Sequence, residues 1–414
     1  MPALRSNSVA FATALILSSG AIAQGAIADW AAHFDREVPV QLFEGTQGKI
    51  GVRGEGIIEC YRGIKLSKVY YFTGEIKFIF HENGIEIADE NGMLTFGLAE
   101  VRFMPRYESS LVLFNSRAYR GYFKCRYQGP LGNVLVLNVV DIEGYLKGVL
   151  PGEIGDRTSD EYEAVKAQAV AARTYAVWKL TDTESSGKLS PTVADQVYTG
   201  YDAEKEFLSS GIDQTRGEIL VYDGSPIAAY YHAVCGGHTS PVEKIWPEKP
   251  PAPYLVGAVD DTFCSWAKAY SWNETYAIDT LRKLVAGYFT GRGGARQGDF
   301  AEITDINFTI DFESGRVEMM EVVTPMGIFR ETSDRIRWVL LRQSNSKAIL
   351  PSTNFTMEKK LNEGKLVELK IIGLGNGHGV GMCQCGAIGR ARAGEKYDSI
   401  LRHYYGPARI EKIF

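Results

Sequence analysis

The strongest constraint on the fold is a change of hydrophobic period partway along the chain. From about Val38 to Tyr127 the sequence runs through short aromatic, β-branched or alternating segments: Tyr70-Tyr71-Phe72, Glu75 to Phe80, and Leu111 to Phe114. Asn83-Gly84 and Asn91-Gly92 punctuate them, a dipeptide suited to tight hairpins. Gln128-Gly129-Pro130 reads as a break, and Val134 to Val140 as a buried strand. The spacing then turns helical, with Tyr162, Val165, Ala169, Ala172 and Ala176 on one face. Thr158 with Glu161, or Asp160 with Glu163, offers a capping box before that helix. Strands followed by one prominent Ala-rich helix and further β-rich segments (218–222, 227–231 and 303–308) define an α+β chain. Asp279 to Tyr288 has the pattern of a short helix, and no internal repeat is present.

The 414 residues leave room for two or three domains. With 45% hydrophobic and 23% charged residues, wholesale disorder is excluded. A net charge of −5 without a Lys/Arg block argues against a nucleic-acid partner. Residues 1–28 read as an export signal: Arg5, an apolar run from Val9 to Leu17, and A-x-A sites at Ala21-Ile22-Ala23 and Ala26-Ile27-Ala28. Cleavage removes Arg5 and takes the charge to about −6. The expected location is therefore the periplasm, the extracellular space or the cell wall. The expected domains are a β-rich unit at 29–130 and a second unit at 131–414. In an oxidising compartment the six cysteines default to disulfides, with Cys60 and Cys125 able to pair within the first unit.

Chemistry concentrates between Asp141 and Gly200. Glu153 follows Pro151-Gly152 and reads as a turn residue before a helix. Partly shielded from water, its carboxyl would have a raised pKa and could act as an acid; a solvated turn Glu is the plain alternative. Around it stand Val149-Leu150-Pro151-Gly152-Glu153-Ile154 and the helix segment Ala164-Val165-Lys166-Ala167-Gln168-Ala169-Val170-Ala171-Ala172-Arg173-Thr174-Tyr175-Ala176. Further on come Asp195 to Gly200, Tyr231-His232-Ala233-Val234-Cys235-Gly236-Gly237-His238, Gly377 to Ala387, and His403-Tyr404-Tyr405. In this order the motifs closely resemble the stage II sporulation protein D / LytB amidase-enhancer (SpoIID) family, over most of Val134 to Phe414. Ile154 stands where the family usually has Met, and the usual Trp-Pro-like pair before the helix is missing.

The resemblance implies a secreted peptidoglycan lytic transglycosylase with Glu153 as its acid. One carboxyl suffices there, because the substrate's own 6-hydroxyl attacks and leaves a 1,6-anhydro end. Arg173, Tyr175, Gln196, Tyr198, His378 and Gln384 are the candidates for holding glycan strands. For Arg173, satisfaction of buried backbone is an equal alternative; for Tyr198, a core role. The family name also covers a non-catalytic enhancer of an N-acetylmuramoyl-L-alanine amidase, with that amidase as partner. A third reading is an inactive structural domain holding a metal. No cofactor is required. A Cys235–Cys264 disulfide is expected, with zinc on His232, Cys235, His238 and Cys264 as the alternative.

Overall fold

The computed structural model describes residues 36–129, 132–182, 186–345 and 348–414. The export signal expected at residues 1–28 lies outside the described residues. The architecture is α+β, as expected.

Ten strands build one antiparallel sheet: β1 (Glu37–Gly45), β2 (Gln47–Arg62), β3 (Lys65–His81), β4 (Gly84–Asp89), β5 (Gly92–Leu98), β6 (Glu100–Pro105), β7 (Leu111–Phe114), β8 (Arg117–Tyr119), β9 (Tyr122–Tyr127) and β10 (Val134–Asp141). The order is β1-β10-β9-β6-β2-β3-β4-β5, with β7 on β2 and β8 on β7. Both Asn-Gly hairpins form, shifted by one residue: His81 pairs with Gly84 and Asp89 with Gly92, so the loops are Glu82-Asn83 and Glu90-Asn91. Only the glycines take positive φ. The pairing of Cys60 with Cys125 that the sequence left open is ruled out by register. Cys60 lies opposite Val101 from one side of β6 and Cys125 opposite Val101 from the other. Two strand spacings put them about 9–10 Å apart, beyond the ~7 Å reach of a disulfide.

The break at Gln128-Gly129 separates neighbouring strands β9 and β10, and buried residues on both sides share one core. From β10 the chain enters α1 (Ile142–Glu153), capped by Asp141, whose carboxylate accepts from the N–H groups of Glu143 (3.1 Å) and Gly144 (3.0 Å). Gly144, Gly148, Gly152 and Pro151 are poor helix formers, and packing overrides them. A Cβ on Gly148 would lie 2.5 Å from the Tyr198 ring, and one on Gly152 2.8 Å from Val197. The glycines let residues 197–200 lie against the helix, and Thr199 N–H takes the carbonyl of Gly148 at 2.9 Å.

The expected helix is α2 (Tyr162–Thr181), entered where Glu161 accepts from Thr158 N–H at 3.0 Å. One apolar face was expected. That face is buried, with Tyr162 half-buried, and α2 runs through the centre with almost all its other sides covered as well. Packed on it are α1, α3 (Glu206–Gln214), α7 (Gln384–Arg392), α8 (Tyr397–Tyr405) and the sheet β12 (Ser225–Pro226), β11 (Glu218–Tyr222), β21 (Arg409–Lys412). Residues 227–230, expected as strand, lead without regular structure into β13 (Tyr231–His232), followed by the single turn α4 (Val242–Ile245).

A second core follows, from Trp272 to Ile371. It contains β14 (Ser271–Ala277), α5 (Ile278–Gly291), β15 (Asp305–Ile310), β16 (Val317–Thr324), β17 (Gly327–Thr332), α6 (Ile336–Val339), β18 (Phe355–Asn362) and β19 (Lys365–Leu374), in two three-stranded sheets. The chain then returns as β20 (Met382–Cys383), parallel to β13.

One buried ion pair crosses the first core. Arg173 on α2 donates through Nε and Nη2 to both oxygens of Glu143 on α1, at 3.0 and 2.7 Å. Its remaining bonds go to the carbonyls of Glu218 and Ile212, while Gly217 N–H donates to Glu143. Arg173→Met strands a buried carboxylate, which costs about 3–5 kcal/mol. The urea midpoint of the first lobe should fall accordingly, followed by Trp178 fluorescence in a variant without the other tryptophans.

Candidate functional site

Glu153 is the last residue of α1, not a turn residue before a helix. The segment that the glycines admit brings Val197 N–H to its Oε1 at 2.7 Å. Gln384, the first residue of α7, donates to the Glu153 backbone carbonyl at 3.1 Å. Burial pushes the Glu153 carboxyl above its ordinary value, and the bonds from Val197 and Gln384 only partly oppose this.

The carboxyl stands where two depressions meet. One, about 630 Å³, is lined by Tyr175, Asp195, Val197, Tyr230, Tyr231, Trp246, His378 and, from the second lobe, Asp334, Arg337, Trp338 and Ile349. The other, about 310 Å³, is lined by Ile154, Arg157, Trp266, Lys268 and Ile388. Glu153, Ala233 and Gln384 border both, so the carboxyl residue stands on the boundary between them.

The other cleft carboxylates are occupied. Asp195 accepts from Tyr175 OH (2.9 Å) and Ser190 N–H (2.8 Å) and faces Lys179 (3.7 Å). Asp334 pairs with Arg337 at 3.0 Å. Of the three, Glu153 has no cationic partner among the described residues.

The other sequence candidates divide by place. Gln384, Tyr175 and His378 line the cleft. Gln196 lies beneath it, fully buried, bonded to Tyr145 OH, Tyr231 OH and the Ala172 carbonyl. Tyr198 is a core aromatic: its OH donates to Asn138 and its ring packs on Tyr145 and Tyr119. Arg173 is in the core with no exposure and all its bonds internal, the structural of its two alternatives. His378 offers the cleft a ring face and no free nitrogen, because Nδ1 accepts from Val380 N–H and Nε2 donates to Tyr231 O. Trp246, Tyr230 and Trp338 were not read from the sequence as site residues. Trp246 packs on Tyr230 at 4.9 Å and on His378 at 5.0 Å, making an aromatic wall. For Trp246 and Trp338 the sequence signal is that tryptophan is the less common aromatic, six in all; Tyr230 is one of 22 tyrosines and carries none.

The expected sulfur chemistry is also rearranged. Cys235 and Cys264 adjoin, but their Sγ atoms are 3.5 Å apart, too far for a bond. Cys383 and Asp260 complete the group, with one donor atom from each of the four within 4.8 Å of the others. The histidines proposed as zinc ligands stand apart. Nδ1 of His232 is bonded to Val380 O and Nδ1 of His238 to Thr239 O.

Two family models match this chain: the stage II sporulation protein (SpoIID) model over residues 131–222, and a domain of unknown function, DUF8618, over 259–381. An uncharacterized protein of Brachyspira hyodysenteriae is 35% identical over 281 residues, 67% of this chain and 68% of that protein. The amidase enhancer of Bacillus subtilis is 29% identical over 286 residues, 63% of this chain but only 39% of the enhancer's own length. Stage II sporulation protein D of Bacillus subtilis is 24% identical over 289 residues, 66% of this chain and 75% of that protein. The chain belongs to the stage II sporulation protein D / LytB amidase-enhancer family. Among the described residues no helix is long and apolar enough to cross a membrane.

Burial holds the His232 and His378 rings neutral, His378 with its pKa lowered to about 4. An unfolded chain protonates both below about pH 6.5. Their contribution to stability is therefore complete above about pH 6.5 and is lost as the pH falls toward 4. Glu153 acts in the opposite sense: its raised pKa weakens the fold as the pH rises above the ordinary carboxyl value. Relative to wild type, Glu153→Gln should become more stable as the pH rises from about 4.5 to 8. Melting temperatures across that range check the Glu153 sign, and a histidine NMR titration should leave the His378 ring neutral at pH 5.5.

Proposed function

We propose that this protein is an exported, cell-wall-directed enzyme that cleaves peptidoglycan glycan strands as a lytic transglycosylase. The observation that carries the reading is Glu153, a carboxyl with a burial-raised pKa and no ionic partner among the described residues, on the boundary shared by two depressions. A strand lying along the cleft passes the acid with sugars on both sides. The protonated carboxyl delivers its proton to the glycosidic oxygen as the bond breaks. The resulting carboxylate then accepts the proton of the substrate's 6-hydroxyl as that oxygen closes on the anomeric carbon. No second catalytic carboxylate is needed, in keeping with the commitments of Asp195 and Asp334. Val197 N–H fixes the carboxyl's direction while leaving its second oxygen free of that bond. Tyr230, Trp246 and Trp338 offer flat apolar faces on which sugar rings stack.

The amidase-enhancer reading has its own support in the name of the Bacillus subtilis relative. In it, the cleft would bind glycan without cutting and the partner would be a cell-wall amidase.

Glu153→Gln keeps the side-chain shape and the bond from Val197 but cannot titrate. Cleavage of denuded glycan strands should fall about 10²-fold or more, with folding intact. Mass spectrometry of the wild-type digest should show ends lighter by one water than hydrolysed ends. Hydrated ends alone would refute the transglycosylase step. No release, together with equal stimulation of an added amidase by wild type and Glu153→Gln, would establish the enhancer reading instead.

A further inference from the structure

We infer that Cys235, Cys264, Cys383 and Asp260 bind one structural zinc ion, which closes the neck of the second lobe. Four donors about 2.0–2.3 Å from a tetrahedral metal lie ~3.3–3.8 Å from one another. The spacing found is 3.5 Å between Cys235 and Cys264 and 3.2 Å between Cys235 and Asp260 Oδ2. All four residues are buried.

The surroundings suit thiolates. Backbone N–H groups of Cys235 and Gly386 both point at the Cys383 sulfur at 3.2 Å, and Gly237 N–H points at the Cys235 sulfur at 3.3 Å. Asp260 turns Oδ2 to the sulfurs, while Oδ1 is held by Tyr404 OH (2.6 Å) and Arg390 Nε (3.3 Å). Anchoring of the distal atom is the usual support of a ligating carboxylate. Charge points the same way. Three thiolates, a carboxylate and Zn²⁺ carry a net charge of about −2. Two guanidinium groups border the cluster. Arg390 is ion-paired to Asp260. Arg316 is 2% exposed and donates to the Cys235 carbonyl, and its Nε and Nη1 have no partner among the described residues. An anionic centre beside it would offset a buried charge that otherwise has little to balance it.

The position gives the ion its role. Cys264 stands just before the second core begins at Trp272, and Cys383 just after it ends at Ile371. The next residue, Gln384, holds the Glu153 carbonyl. One ion would therefore fasten both roots of the lobe and set α7 against the acid. This inference does not depend on the transglycosylase reading.

The test uses the mature protein, purified without chelator. Elemental analysis should find about one zinc per chain after gel filtration. Cys235, Cys264 and Cys383 should resist alkylation until a chelator is added. Cobalt(II) exchanged into the site should give intense sulfur-to-metal charge-transfer bands. Tyr404→Phe keeps the ring and removes the bond to Asp260, and should weaken zinc binding about 10-fold or more, measured by competition with a chromophoric chelator. Cys264→Ser should abolish stoichiometric binding; where that variant does not fold, the wild-type metal content and cobalt spectrum still decide. A mapped disulfide within the trio without stoichiometric metal overturns the inference, and so do reduced, alkylatable cysteines that take up no zinc on dialysis.

Discussion

The pairing of Glu143 with Arg173 is the interaction on which the rest of the first lobe depends. It is bidentate and buried, and it is completed by backbone groups of Ile212, Gly217 and Glu218. A buried ion pair is a weak source of net stability, because both charges leave water. What it imposes is alignment. A planar guanidinium with two arms on one carboxylate accepts a single placement, and here that placement fixes α1 against α2. Both ends of α1 follow from it. One end is tied to the large sheet through Asp141, and the other delivers Glu153 to the cleft.

The acid is set by contrast with its neighbours. Nearby polar side chains have hydrogen-bonded or ionic partners: Asp195 with Tyr175, Gln196 with two tyrosines, Asp334 with Arg337. Glu153 receives only neutral N–H donors, from Val197 and Gln384, and considerable burial. Desolvation without a nearby cation moves a carboxyl toward the range in which it can donate a proton near neutrality. Two glycines of α1, Gly148 and Gly152, make this arrangement sterically available, since side chains there would push residues 197–200 off the helix.

Much of this could be read from the chain. Period-two runs announced the strands, and helical spacing announced α2, because both signals are local. The face of α2 read from the spacing is buried, but so is nearly all the rest, because alanine, valine and a paired arginine can be buried on every side of a central helix, which periodicity cannot register. Helix α1 was missed for the opposite reason: its glycines and proline serve the partner segment, and local propensity speaks against them. Of the site, Glu153, Tyr175, His378 and Gln384 were legible through motif order. Arg173, Gln196 and Tyr198 belong to the same motifs but support the cleft from within. Trp246 and Trp338 come from separate lobes, and only the folded chain brings them to one cleft. The cysteine grouping was hidden for the same reason, since Cys383 follows Cys264 by more than a hundred residues.

Strands β13 and β20 are parallel neighbours. Parallel strands cannot be joined by a tight turn and require a crossover. In this chain the crossover is an entire folded lobe. Because its two ends are already adjacent, its length adds little to the entropy of closing the first lobe. The acid and the α1–α2 frame lie outside the crossover, whereas Asp334, Arg337, Trp338 and Ile349 on the cleft wall lie within it. The fold thus separates Glu153 and its supporting frame from part of the wall that it faces. Exchange of one contiguous segment can alter the width and chemistry of the groove while leaving Glu153 and its burial by the first lobe in place.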